Sequence, residues 1–413
     1  MVQVREELLE LWPGSTISIE VKGVLNSRLD FNGKNSDNST ATKDLTLLWF
    51  ILRAYTLLCG LLAARIAGAS FTNVWERWDA VYYVRIVTSG YSADDGTTNF
   101  HPLYPLLAWP IAQVTSSPIL TLLLVSSIAT VALYLLFDRF AQLDLPANRA
   151  KTATLLLIFW PISYVLYLPY TESTWLCFAV LCLICARRGR WWAAGICASA
   201  ATLTRQQGLF LIIPIAWELW EANGRSLKNI VKAWRYWLAL VLPVLAYALW
   251  IIVRSAALGS FRPDSTTFGT LIYSTLLSPA SHRVVEGQQF MWPWKAMYLA
   301  IQRALSVPFI NPWIDLTFGG IFLLLVVLAW RHMRMSYRIY VVVIVLVSFS
   351  YHTGMVATGG AYLSLPRHLL LAFPVFVGVG SRLQLRINPL VMILLSLVMT
   401  VMLFGYFWLR LVP

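Results

Sequence analysis

Charged residues are scarce in this chain, and acids are scarcer than bases. Only 12% of its 413 residues are Asp, Glu, Lys or Arg, with 19 acids against 32 bases. Soluble domains carry about 25% charged residues, so a soluble enzyme is excluded. With 58% apolar residues the chain reads as an all-α polytopic membrane protein. Cysteine is equally thin. The five thiols (Cys59, Cys177, Cys182, Cys185, Cys197) all lie in apolar runs, which leaves no disulfide framework. Cys182-Leu-Ile-Cys185 spells C-x-x-C, but with no His or acid cluster beside it the pair reads as helix packing. No internal repeat is visible, which weighs against a transporter built from inverted repeats. Residues 1–43 lack the charged start, apolar centre and small-residue exit of a signal peptide. They are expected to form a polar cytoplasmic tail, where the sequon Asn38-Ser39-Thr40 would be silent.

Apolar and aromatic residues are what the chain has in abundance. Apolar segments fall at 44–66, 118–137, 151–168, 173–187, 190–204, 208–221, 235–254, 313–330, 339–352, 367–380 and 389–410. Several are shorter than the ~20 residues of a straight span and must be tilted, broken or extended. A further short piece, 102–115, contains Pro102, Pro105 and Pro110. If it lies in the interface and the N-terminus is inside, the inner loops hold 15 Lys and Arg in 48 residues, and the outer loops 8 in 115. That is the positive-inside bias, and it accounts for the net charge of +13 without a nucleic-acid partner. The expectation is about 11 transmembrane helices over 44–410, N-terminus in. The first outer loop is 67–117, and a large outer loop spans 255–312. The 19 Trp, 18 Tyr and 20 Phe suit interface belts and binding surfaces.

Against this background the few acids stand out. An acid close to hydrocarbon costs several kcal/mol unless it faces water, a partner or a ligand, which singles out Asp79 in the first outer loop. The expected topology sets three more polar spots on the same face: Glu172 within Pro169-Tyr-Thr-Glu-Ser, Arg205 after Thr204, and Pro366-Arg367-His368. Singly each reads as an interfacial anchor. Together they offer two acids and two arginines from four hairpins, as a site needs to hold an anionic phosphate and activate a nucleophile. Asp94-Asp95-Gly96 reads as a solvated turn rather than a metal site, and no metal or other cofactor is expected. In 255–312, Pro263-Asp264, His282, Glu286 and Met291-Trp-Pro-Trp294 belong to a loop long enough to serve the acceptor.

Trp78-Asp79-Ala80-x-x-Tyr83-x-x-Ile86-x-x-x-Gly90-Tyr91, followed by Phe100-x-Pro102-Leu-Tyr-Pro105, resembles the signature of the PIG-V-like mannosyltransferases. That family includes the second mannosyltransferase of GPI-anchor synthesis and bacterial homologues, and belongs to the GT-C superfamily. Pro161 with Pro169-Tyr-Thr-Glu-Ser, Leu203-Thr-Arg205-x-x-Gly208, and Pro366-Arg367-His368 before Phe373-Pro374 are similar in the same order. The resemblance runs from about 44 to 380. The chain departs from it at His101, where Phe or Tyr is expected, and at Gln206-Gln207, where Pro or a small residue is common.

The resemblance implies a GT-C-like fold with a catalytic first extracytoplasmic loop. It also implies inverting transfer of a hexose, mannose above all, from a polyprenyl-phosphate sugar donor to an acceptor hydroxyl of a glycan or glycolipid. Asp79 is the implied base. Arg205 and Arg367 are the candidates for the donor phosphate. Trp78, Tyr83, His101, Tyr104, Glu172 and His368 are candidates for holding or orienting the acceptor, and Glu172 serves equally well to hold an arginine. The setting is an integral membrane, a plasma membrane if bacterial or the ER if eukaryotic, with the site on the extracytoplasmic side. The alternative is a multi-pass lipid or solute transporter or flippase, which would place charges near the midplane rather than at one interface. A membrane acyltransferase built on His101, His352 or His368 ranks lower, because none of these has an Asn or Asp partner by spacing.

Overall fold

Backbone that enters hydrocarbon must satisfy its own hydrogen bonds, and the apolar runs do so as helices. The structure, a computed structural model, describes residues 35–92, 95–258, 289–290, 292–307, 310–352, 362, 364–382 and 389–408. The chain divides into two units, Met1–Leu48 and Trp49–Pro413. Of the first, the described part is the start of helix α1 (Asn35–Ala67), so helix extends into the expected polar tail. All contacts below lie within the second unit.

There the order is α2 (Phe71–Trp75), α3 (Asp79–Ser89), α4 (Leu103–Thr115), α5 (Pro118–Ala141), α6 (Ala147–Ile158), α7 (Glu172–Arg187), α8 (Trp191–Thr204) and α9 (Ile212–Ala222). Short α10 (Leu227–Lys232) and α11 (Trp234–Trp237) lead to α12 (Val241–Leu258). Next are α13 (Pro293–Ser306), α14 (Asn311–Ala329), α15 (Met335–Ser350), α16 (Leu365–Leu369), α17 (Pro374–Arg382) and α18 (Pro389–Trp408). A two-residue antiparallel pairing sets Gln289 against His352 and Phe290 against Tyr351. Proline opens α5, α13, α14 and α16 in the first turn, where its missing N–H costs nothing.

Five stretches among the described residues are long and apolar enough to cross a membrane: Ala41–Ala67, Pro118–Ala141, Trp234–Arg254, Asn311–His332 and Leu390–Trp408. The other six expected segments are helical too, but short or broken. Helices α7, α8 and α15 have 16, 14 and 16 residues. The remaining three are interrupted by tight turns at Ser163–Tyr167, Gln206–Leu211 and Leu370–Ala372. Helix α4, with 13 residues and Pro110 inside it, is about 20 Å long, short of a ~30 Å hydrocarbon core. Of the expected large loop, the pairing residues and α13 are described; Pro263, Asp264, His282, Glu286 and Met291 lie outside the described residues.

Helix α7 is the axis of the second unit, packed on α8 and α5. Its Trp175, Leu176, Ala179 and Val180 are fully buried. Polar networks lie at both of its ends, about 24 Å apart by helix rise. At the Arg187 end, the guanidinium donates to both Asp144 carboxylate oxygens at 2.8 Å and to Tyr337 at 2.6 Å. Ser336 donates to Glu218 at 2.6 Å, and Arg334 reaches Glu221 at 3.0 Å. The other end is the candidate site.

The segment leading to Asp79 is fixed by Trp75. Its ring is fully buried, edge-on to Phe407 with centroids 5.0 Å apart, and it fills the space over Gly60, where a Cβ would come within 2.4 Å of the indole. Gly60→Ala is therefore expected to destabilise the protein by about 1–3 kcal/mol through overpacking. Gly320→Ala, which meets open space on its own helix, should be neutral or slightly stabilising. Thermal unfolding of the two purified variants in one detergent checks the contrast.

Candidate functional site

Asp79 is the first residue of α3, and the backbone enters it through a strained turn. Trp78 has φ +52° and ψ −124°, a conformation that a bulky residue adopts only where its surroundings enforce it. Two anchors do so. Arg77 N–H bonds the Trp75 carbonyl at 3.0 Å. On the other side of Asp79, Ala80, Tyr83, Ile86 and Val87 bury the inner face of α3. Tyr83 meets Phe100 and Tyr104 edge-on, centroids 5.0 and 4.9 Å apart. The 78–91 motif thus combines a helical burial stripe with an acid at its N-terminal rim.

Three other elements bring charges to that rim. Glu172, fully buried, is the first residue of α7. Arg205 caps the C-terminus of α8 and donates to Glu172 and, at 3.2 Å, to the Thr171 hydroxyl. Arg367, on α16, donates to Asp79, sets its Nε 2.6 Å from Glu172 Oε1, and lies 4.9 Å over the Tyr170 ring. The result is a continuous relay, Asp79–Arg367–Glu172–Arg205, of two acids and two bases. Exposure is graded along it: the Asp79 side chain is 24% accessible, Arg205 11%, Arg367 8% and Glu172 0%. Glu172 Oε2 is buried with no protein hydrogen-bond partner among the described residues.

The arginine beside Asp79 is neither its sequence neighbour nor the one in the Thr204-Arg205 motif. Arg77 and Arg205 are the sequence neighbours and motif partners that suggest themselves, but the acid pairs with Arg367. The turn at Trp78 parts Arg77 from Asp79, and Arg77 donates instead to the Tyr406 carbonyl at 3.2 Å. Gly208 explains the later motif: a Cβ there would fall 2.2 Å from the Thr202 backbone nitrogen, so only glycine lets the chain fold back on α8 beneath Arg205.

The other candidates occupy different places. Tyr104 is fully buried and bonds Ser126 at 2.8 Å and the Leu122 carbonyl at 3.0 Å. Ser126 in turn donates to the Tyr170 carbonyl at 3.2 Å. Tyr83 and Tyr104 are therefore buried supports of the Asp79 and Glu172 segments. Trp78 is half-buried beside the acid, and His368, also half-buried, follows Arg367 on α16. His101 stacks on Tyr247 with centroids 5.9 Å apart and bonds the Thr202 backbone. Burial, helped by the nearby Arg254 charge, pushes its pKa down to about 3. Asp95 accepts from the Thr97 N–H at 3.0 Å beside a left-handed Gly96, forming a turn; Asp94 lies outside the described residues.

Sequence reasoning passed over two supports. Arg53, within the first apolar run, is buried and donates to the Tyr167 carbonyl at 2.6 Å and the Leu123 carbonyl at 3.3 Å. It thereby ties down the turn that precedes Tyr170 and Glu172. Asp315, buried near the start of α14, accepts the Leu365 N–H at 3.2 Å and so caps the helix that carries Arg367. The available signal was a lone charge inside an apolar run, which in a span marks a functional or structural partner by default.

No protein-family model matches the chain, and no curated protein matches it. Among solved structures, the crystal structure of ArnT from Cupriavidus metallidurans in the apo state is similar at a TM-score of 0.44 and 15% identity. The similarity covers 81% of this chain, which spans 60% of that one.

The His101 environment carries a pH dependence. With its folded pKa near 3 and an ordinary value near 6.5, the unfolded chain binds the proton first as pH falls. The stability that the neutral ring supports is thus present above about pH 6.5 and drains away toward pH 3. His101→Asn is expected to flatten the melting temperature profile over that window. Parallel profiles for variant and wild type would contradict the assignment.

Proposed function

We propose that the chain is a GT-C-like membrane glycosyltransferase that transfers a hexose, mannose in the first instance, from a polyprenyl-phosphate donor to an acceptor hydroxyl. The observation that carries this reading is the relay in which one accessible carboxylate, Asp79, shares Arg367 with a fully buried one, Glu172. The two carboxylates play different parts. Glu172 is enclosed by Arg205 and Arg367 and holds both guanidiniums in place. Asp79 faces the surface and is the group that an acceptor can reach.

In the proposed reaction the acceptor oxygen attacks the anomeric carbon, and the bond from that carbon to the phosphate oxygen breaks with inversion. Asp79 takes the hydroxyl proton, and the polyprenyl phosphate leaves as an anion. A stable anionic leaving group needs no general acid, so one base suffices, unlike the paired carboxylates of glycoside hydrolysis. The arginines stabilise the charge that develops on the phosphate. Because Arg367 is ion-paired to Asp79, a donor phosphate entering the site competes for that guanidinium and releases the base.

The relay is built from helix ends: the starts of α3, α7 and α16 and the end of α8. That favours an interfacial reaction site over a transporter, whose charges belong near mid-helix. The uneven distribution of Lys and Arg along the sequence supports an extracytoplasmic site. His101 is stacked on Tyr247, which does not favour it as the centre of an acyltransferase.

Membranes containing the protein are expected to transfer label from polyprenyl-phosphate mannose to an extractable product. Asp79→Asn should lower turnover at least ~10²-fold with expression unchanged. Asp79→Glu should cost about as much, since an added methylene displaces the oxygen by about 1 Å. Arg367→Lys should weaken donor use beyond what charge predicts, because the planar fork that bridges two acids is lost. Near wild-type transfer by Asp79→Asn would move the base elsewhere.

A further inference from the structure

At the Arg187 end of the second unit, away from the relay, lies an open cleft lined by Val326, Val327, Leu328, Trp330, Arg331, His332 and Arg382. It forms where α14 runs out. The first three residues are the last turns of a span candidate, Asn311–His332. Trp330, Arg331 and His332 follow in a tight turn. Arg382, the last residue of α17, closes the other wall by donating to the Leu328 carbonyl at 3.3 Å. Val327 is 71% exposed, and Arg331, His332 and Arg382 are exposed.

Among the described residues, no acid lines this cleft. The carboxylates that reach the following Arg334 are engaged with it and with other partners: Glu218 also with Ser336, Glu221 also with Arg225. A further cation adds to the site, since Arg338 lies 5.6 Å over the Trp330 ring and donates to the Arg331 carbonyl at 3.2 Å. The cleft therefore grades from apolar within the span to aromatic and then to cationic at its mouth. An anionic phospholipid has the complementary gradient over the same depth, from acyl chain to glycerol to phosphate. Guanidiniums match phosphate oxygens bidentately, and basic pockets between spanning helices are suited to such head groups.

We propose that this cleft binds an anionic membrane phospholipid, its phosphate on Arg331 and Arg382, its glycerol beside Trp330 and an acyl chain along Val326 and Val327. The site is independent of the transfer reaction. Arg331, His332 and Arg382 line one cleft together with apolar residues, which distinguishes it from the diffuse attraction of basic loops to an anionic leaflet.

The test uses the full chain, purified in a neutral detergent, with bound lipid counted by native mass spectrometry. Phosphatidylglycerol is expected to be retained, and phosphatidylcholine and glycerol phosphate are not. Arg331→Ala should weaken phosphatidylglycerol about five-fold and the double variant with Arg382→Ala about 25-fold, from the usual worth of a basic residue near a membrane surface. Arg188→Ala with Arg190→Ala removes the same charge from another exposed loop and should leave retention unchanged. Arg382→Ala also loses the Leu328 bond, so if the double variant melts early, Arg331→Ala alone decides. Wild-type retention in Arg331→Ala, an equal loss in the Arg188/Arg190 control, or equal binding of phosphatidylcholine or glycerol phosphate would overturn the proposal.

Discussion

The arrangement depends on one buried carboxylate. Glu172 has no exposed surface, and the desolvation penalty of a buried ion amounts to several kcal/mol, offset only by close, well-aligned partners. Arg205 and Arg367 both approach its Oε1, leaving Oε2 without a protein hydrogen-bond partner among the described residues. Each must then be delivered by its own helix end: Gly208 allows the chain to turn tightly beneath Arg205, and Asp315 caps the helix carrying Arg367. Asp79 completes the set by sharing Arg367. Neighbouring strain follows the same logic. Trp78 and Ser364, one before Asp79 and the other at the N-cap of the Arg367 helix, both have positive φ. Left-handed backbone at non-glycine positions persists when packing over-determines it.

Helix α7 connects this end of the unit to the opposite one. Its first residue is Glu172 and its last Arg187, and each is buried in a network drawn from several helices. Most of the apolar stretch between them is buried. A helix pinned by ion pairs at both ends and by close packing in the middle gives the relay a rigid base, as a site that must hold a base and a phosphate in fixed relation requires. Arg53 adds to that rigidity from within an apolar run, fixing the turn before Glu172 through backbone carbonyls rather than a carboxylate.

Much of this was legible in the sequence. The apolar runs predicted the helices, because spanning backbone has almost no other option. Asp79, Glu172, Arg205 and Arg367 stood out as charges at run boundaries, and the structure brings these four together. What the sequence did not reveal was pairing. Arg367 is 288 residues from Asp79, and no local rule prefers it to Arg77. The resemblance made Tyr83 and Tyr104 candidates for orienting the acceptor. Helical spacing puts both on the buried face instead. The stacking of His101 on Tyr247 had no signal in the sequence either. Arg53 and Asp315 were hidden because composition averages a single charge away within a long apolar run.

The account rests on Asp79 and a phosphate competing for Arg367. That makes an unusual demand on one variant: the substitution that disables transfer must improve phosphate binding. The direct measurement is equilibrium binding of polyprenyl phosphate to purified wild-type and Asp79→Asn protein, followed through tryptophan fluorescence, with Trp78 adjacent to the site as reporter. The account predicts tighter binding by Asp79→Asn, because a neutral amide holds the guanidinium less strongly than a carboxylate does. Unchanged or weaker binding would contradict it and detach Arg367 from the phosphate.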